Sequence, residues 1–156
     1  MSKKATSSDA ELILKLYDLR REPEMRKARN WWLVSFWPNS AGDFLKLMMD
    51  LGSQENNWLR QVAGYWSMAA SLALAGAVNQ ELFLEPSFSG EMCMVFAKVK
   101  PFVKELRKQT KNEHMFANVE KLINSSKKSR DFLAYMEGNL ANRRKAMAEA
   151  KAAKAS

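Results

Sequence analysis

Apolar residues return every three or four positions along most of the chain and almost nowhere at alternate positions, so the pattern predicts helices and no sheet. Ser8 followed by Glu11 has the spacing of a capping box, opening a first helix lined by Leu12, Leu16 and Leu19. Pro23 suits the first turn of a second helix, with Met25, Ala28, Trp32 and Phe36 on one side and an end before Pro38. Asn39 or Ser40 can cap a third, carrying Phe44, Leu47, Met48 and Leu51, with Gly52 placed for a left-handed termination. Ser53 can cap a fourth, predicted to run as far as Phe83 or Leu84, where Glu85-Pro86-Ser87 interrupts it. A fifth, from about Gly90 to Lys108, is expected to kink or break at Pro101, because proline removes one backbone donor. Phe116, Val119 and Ile123 make another, and Phe132 or Leu133, Met136, Leu140 and Met147 a last one beyond the polar run 124–129.

The fourth helix contains the least usual stretch. Between Arg60 and Glu81 there is no ionised residue, in a chain otherwise dense in Lys and Arg. Apolar side chains occur around most of its circumference, which predicts a helix enclosed by other helices. Gly64, Ser67, Ser71 and Ala75 fall on one line, where small side chains would let a neighbouring helix come close. A membrane span is the competing reading. Numerous Ala, Gly and Ser weaken it, and so do ten Lys and Arg before the stretch against fifteen after it, since neither flank is depleted of cations.

Composition changes this picture little. At 156 residues with 47% hydrophobic positions, five Trp and eight Phe, the chain can bury a core as one domain without metal or disulfide support. A single cysteine, Cys93, forms no internal disulfide, and the start M-S-K-K-A-T-S-S has no apolar segment of the signal-peptide kind; a cytoplasmic location is therefore expected. The net charge of +8 is concentrated at the ends: Lys3 and Lys4 supply +2, residues 142–156 supply +4, and only +2 is left for the body.

Catalytic constellations are lacking. One Cys and one His cannot make a soft-ligand metal site, and no Glu-x-x-His accompanies the carboxylates, so neither metal nor cofactor is expected. His114 beside Glu113 reads as an exposed or capping residue at a helix start. Cys93, within Met92-Cys93-Met94-Val95-Phe96, reads as a structural thiol. The glycines are isolated and build no phosphate loop. Glu81 and Glu85, one turn apart, read as a solvated helix end; an enzyme using carboxylates and Tyr65 has no specific support.

Two segments are candidates for binding. In Arg26-Lys27-Ala28-Arg29-Asn30-Trp31-Trp32 the adjacent tryptophans point about 100° apart, which makes it hard to bury both in one core. Arg26, Arg29, Trp31 and Trp32 are therefore the candidate partner-binding residues, against the plainer alternative that both rings lie under a neighbouring helix. At the C-terminus Arg143, Arg144, Lys145, Lys151 and Lys154 form a basic, Ala-rich end that could neutralise phosphates of a nucleic acid, or simply solvate a helix.

Arg20-Arg21-Glu22, Ala28-Arg29-Asn30-Trp31-Trp32 and Arg60-Gln61-Val62-Ala63-Gly64-Tyr65-Trp66, with Gly76 and Glu81-Leu82-Phe83, together resemble a family of small bacterial helical proteins of unknown function. The resemblance covers most of residues 10–125. It implies no activity and no catalytic residue, only that Tyr65 and Trp66 belong to a recurring part of the fold, packed against Arg60 or the second helix.

The expectation is thus an all-α, single-domain bundle around a long central apolar helix. Residues 1–8 form a flexible N-terminus, 9–141 the helical domain, and 142–156 a basic helix end or tail. The expected function is a non-enzymatic interaction or scaffolding module for a protein partner or for self-association. Accessory nucleic-acid binding is the alternative, peripheral membrane contact through Trp31 and Trp32 is weaker still, and no small-molecule ligand is indicated.

Overall fold

The computed structural model describes residues 3–155, which contain nine helices and no strand. These are α1 (Ser7–Leu19), α2 (Pro23–Val34), α3 (Ala41–Met49), α4 (Gln54–Leu74), α5 (Gln80–Phe83), α6 (Pro86–Val99), α7 (Val103–Thr110), α8 (Ala117–Asn124) and α9 (Lys127–Ala155). One continuous core joins them, with Trp32, Trp66, Phe44, Phe83 and Phe96 among its largest enclosed side chains.

Local chemistry accounts for most boundaries. Ser40 and Ser53 cap α3 and α4 by accepting from the backbone N–H of Asp43 and Asn56, and Glu22 does the same for α2 from Met25. The capping box of α1 is formed by Thr6 and Asp9, not by Ser8 and Glu11. Ser7 and Ser8 are therefore the first two helical residues, while Met1 and Ser2 of the expected flexible N-terminus lie outside the described residues. Asp9 carries a second load that favours this register: its Oδ1 accepts the backbone N–H of Asn79 at 2.7 Å, which ties α1 to the cap of α5. At the other end α9 remains helical to Ala155, and Ser156 lies outside the described residues.

Two expectations about the uncharged stretch are corrected. First, α4 stops at Leu74, well short of Phe83: Gly76 adopts φ +78°, and Asn79 caps the separate short helix α5. Second, the small-residue line faces outward. Gly64 and Ala75 are exposed, Ser67 and Ser71 half-buried, and a Cβ built on Gly64 would meet nothing within 4 Å. The large residues Val62, Tyr65 and Trp66 take the opposite, buried side, so the stretch lacks charge without being enclosed. Burial is most complete in α6, at eleven of its fourteen positions. Helix α4 packs chiefly on α2, α3, α5 and α8, whereas α6 packs on α9 and α8. The expected break at Pro101 separates α6 from α7. Among the described residues no helix is long and apolar enough to cross a membrane.

Candidate functional site

Of the residues that carry the resemblance, Arg20, Arg29, Tyr65 and Trp66 converge, and they do so inside the molecule. Arg20, the C-cap of α1, is 7% exposed; its guanidinium lies over the rings of Tyr17, Trp66 and Phe88 at 5.0, 5.2 and 5.8 Å and donates to the Phe88 carbonyl at 2.8 Å. Arg29 of α2 grips Glu91 of α6 through Nε and a terminal nitrogen, each 2.8 Å from Oε2. The other carboxylate oxygen of Glu91 accepts the Trp66 indole N–H at 3.2 Å. Tyr65 donates its hydroxyl to the Leu16 carbonyl near the end of α1 at 2.6 Å. Burial, only partly opposed by the neighbouring Arg20, pushes the Tyr65 phenol up to about 12, so it stays a donor. Arg60, by contrast, turns away toward Asn56 and Asn57. Tyr65 and Trp66 are thus bonded to α1 and α6, and Glu91 links Trp66 to Arg29 of α2, the helix on which α4 chiefly packs; of the two expected neighbours, Arg60 or the second helix, Arg60 turns away.

The two expected binding segments are used unevenly. Trp32 is fully buried and Arg29 is engaged with Glu91, so both serve the interior. Arg26 is exposed. Trp31 is half-buried, stacked on Phe36 with centroids 4.7 Å apart and tilted against Trp58 of α4 at 6.2 Å. Trp58 in turn lines an open groove of about 650 Å³ with Glu24, Gln54, Asn57, Arg60 and Gln61. Gly52 also lines it, and the end of α3 and the turn that carries Gly52 present Met49 and Leu51, 79% and 76% exposed, the two most exposed large apolar side chains among the described residues. Periodicity placed Leu51 on the apolar side of α3; because α3 ends at Met49, Leu51 falls in the turn instead.

At the C-terminal end Arg144 donates to Asn39 Oδ1 at 2.9 Å and to the Pro38 carbonyl at 2.7 Å, fastening α9 to the segment after α2. Arg143 and Arg144 stand over the ring of Trp37 at 5.7 and 5.3 Å. Lys145, Lys151 and Lys154 follow on a helix exposed from Lys145 to Ala155. Trp37 was not anticipated as a site residue, and neither was Lys98, which is 3% exposed with its ammonium 3.9 Å from that ring. Lys98 donates to the carbonyls of Trp32 and Phe36 and so closes the C-terminus of α2. Burial, followed by Arg143 and Arg144, pulls the Lys98 ammonium down to about 7.

Residues with reactive potential elsewhere sit in ordinary settings. Cys93 is buried, which pushes its thiol up to about 12, and His114 is exposed in the turn before α8. Among the described residues no three of His, Cys, Asp and Glu gather as metal ligands would.

The family comparison agrees with the extent of the resemblance. The chain belongs to the family described as "Domain of unknown function (DUF4760)", matched over residues 5–126, which takes in α1 to α8 and leaves α9 outside. No curated protein and no solved structure matches the chain.

Proposed function

We propose that this member of a family without an assigned activity is a non-enzymatic interaction module that binds a protein partner, or a second copy of itself, through the face around Trp58. One observation carries the proposal: Met49 at the end of α3 and Leu51 in the turn that borders the Trp58 groove stand out into solvent, so a partner covering them would remove their apolar surface from water. Trp31 lies behind Trp58 and stiffens it, and Glu24, Lys27 and Arg60 add a charged rim suited to specificity. The lone buried thiol of Cys93 suits a reducing cytoplasm as the place of action. The test is a Met49→Asp, Leu51→Asp double variant, checked for fold by circular dichroism and compared with the native chain by sedimentation velocity over a concentration series and by cross-linked capture from the native host. Loss of self-association or of a specific captured protein supports the proposal; identical behaviour of the two chains refutes it.

A second reading is accessory nucleic-acid binding by the end of α9. Its support is that Arg143, Lys145, Lys151 and Lys154 sit on exposed helix with only Glu149 opposing them. Binding of this kind weakens as salt rises and disappears on deletion of residues 142–156. Salt-independent binding, or binding that survives the deletion, excludes it.

A further inference from the structure

We propose that Arg143 and Arg144, standing over Trp37 beside Lys98, form a binding site for a single phosphate group. Two arginines of α9 and the buried Lys98 of α6 surround one indole ring, with Lys98 at 3.9 Å, Arg144 at 5.3 Å and Arg143 at 5.7 Å from its centroid, and the arginines carry the permanent charge. Ring quadrupoles hold such cations without neutralising them. None of the three makes an ion pair with a carboxylate among the described residues: Lys98 and Arg144 bond only to backbone carbonyls and the Asn39 amide oxygen. Glu137, which lines a cleft next to Lys98 and Arg144, is paired with Lys100 at 2.6 Å. An uncompensated cluster of this kind favours an added anion, and the downward pull of Arg143 and Arg144 on the Lys98 ammonium reports the same local excess of positive charge.

Shape narrows the ligand. That cleft of about 260 Å³, lined by Lys98, Pro101, Glu137, Leu140, Ala141 and Arg144, adjoins the site on the Arg144 side, with Trp37 and Arg143 outside its lining. Whole cofactors occupy sites of roughly 300–1,000 Å³, so the space next to Arg144 admits a group of phosphate size and not a dinucleotide. Arg144 uses two of its five N–H donors on neutral oxygens, and Arg143 is exposed, so both planar forks have donors to give to phosphate oxygens. The phosphate could belong to free phosphate or a phosphomonoester, or to a nucleic-acid backbone; the site does not depend on the Trp58 face.

Calorimetric titration of the full chain with inorganic phosphate, and separately with a short single-stranded DNA oligonucleotide, tests it. The variant is Arg143→Gln, whose exposed side chain bears no fold-holding bond, and the control is Lys15→Gln, which removes the same charge from exposed α1. Expected is a loss of affinity of about tenfold in Arg143→Gln, the scale of one charge-assisted phosphate contact, with Lys15→Gln within about twofold of native. If inorganic phosphate shows this pattern, the site takes free phosphate or a monoester; if only the oligonucleotide shows it, the site takes the backbone. If neither ligand binds, or if both variants lose affinity equally, the site is overturned.

Discussion

Arg29 and Glu91, 62 residues apart in the chain, meet in a two-nitrogen ion pair that binds α2 to α6, and the same carboxylate holds the Trp66 indole. Glu91→Ala would strand both partners in a region where Arg29 is 27% and Glu91 16% exposed. A buried donor left unpaired costs about 1–3 kcal/mol, and partial solvent access places this variant near the middle, at about 2 kcal/mol. Urea unfolding checks it; a loss under about 0.5 kcal/mol would mean that water replaces the carboxylate freely.

Lys98 gives stability a defined pH slope. Its ordinary value of 10.5 falls to about 7 in the folded chain, so between those values the unfolded chain holds a proton that the folded chain lacks. Stability therefore rises with pH across that window and is flat below it, as far as this group is concerned. Facing it are Arg143, Arg144 and Glu137 from α9 and the carbonyl ends of α2. Lys98→Met should remove the rise. Tyr65 acts with the opposite sign: raised from 10.0 to about 12, it lowers stability as pH climbs above its ordinary value. Urea midpoints at pH 6, 8 and 9.5, all below the Tyr65 window, isolate the Lys98 slope when the native chain is compared with the variant, and parallel curves would contradict the assignment.

Gly64→Ala tests which way the small-residue line faces. The position is exposed, helical and open around a built Cβ, so alanine should stabilise by about 0.5–1 kcal/mol through lower backbone entropy. A close helix neighbour would make the same change destabilising. Gly90→Ala is the counterpart, because there a Cβ meets the Phe132 ring at 3.3 Å and the ring must shift. A higher melting temperature for Gly64→Ala than for Gly90→Ala is the expected order.

Helix α9 divides into a packed part and a projecting part. Leu133 and Leu140 are buried against the core, while residues 145–155 are exposed throughout. A chain ending at residue 145 should unfold at the native urea midpoint. One ending at residue 126, where the family match also stops, uncovers the α6 face and should aggregate or bind a hydrophobic dye.

Much of the architecture could be read from local pattern. Pro23, Ser40, Ser53 and Pro101 set boundaries through capping and missing donors, which act within a few residues and need no partner. Where two local signals competed, pattern was insufficient. Ser8 with Glu11 and Thr6 with Asp9 both fit a helix start, and the second is reinforced by the Asn79 backbone, 70 residues away. Gly76 and Asn79 were available as a stop and a start, but unbroken apolar content concealed them. For the candidate sites, Arg143 and Arg144 were legible as charge, whereas Trp37, Trp58 and Lys98 acquire meaning only from what surrounds them.

The amino-acid sequence by itself determined the helical class, most helix limits and the concentration of positive charge at the ends, because each follows from spacing and side-chain chemistry along one segment. Only the tertiary structure decided that α6 is the enclosed helix, that the small line of α4 faces water, and that Lys98 lies beneath Trp37. Burial and uncompensated charge are properties of several segments together, and a periodic pattern states that a helix has an apolar face without stating which neighbour covers it.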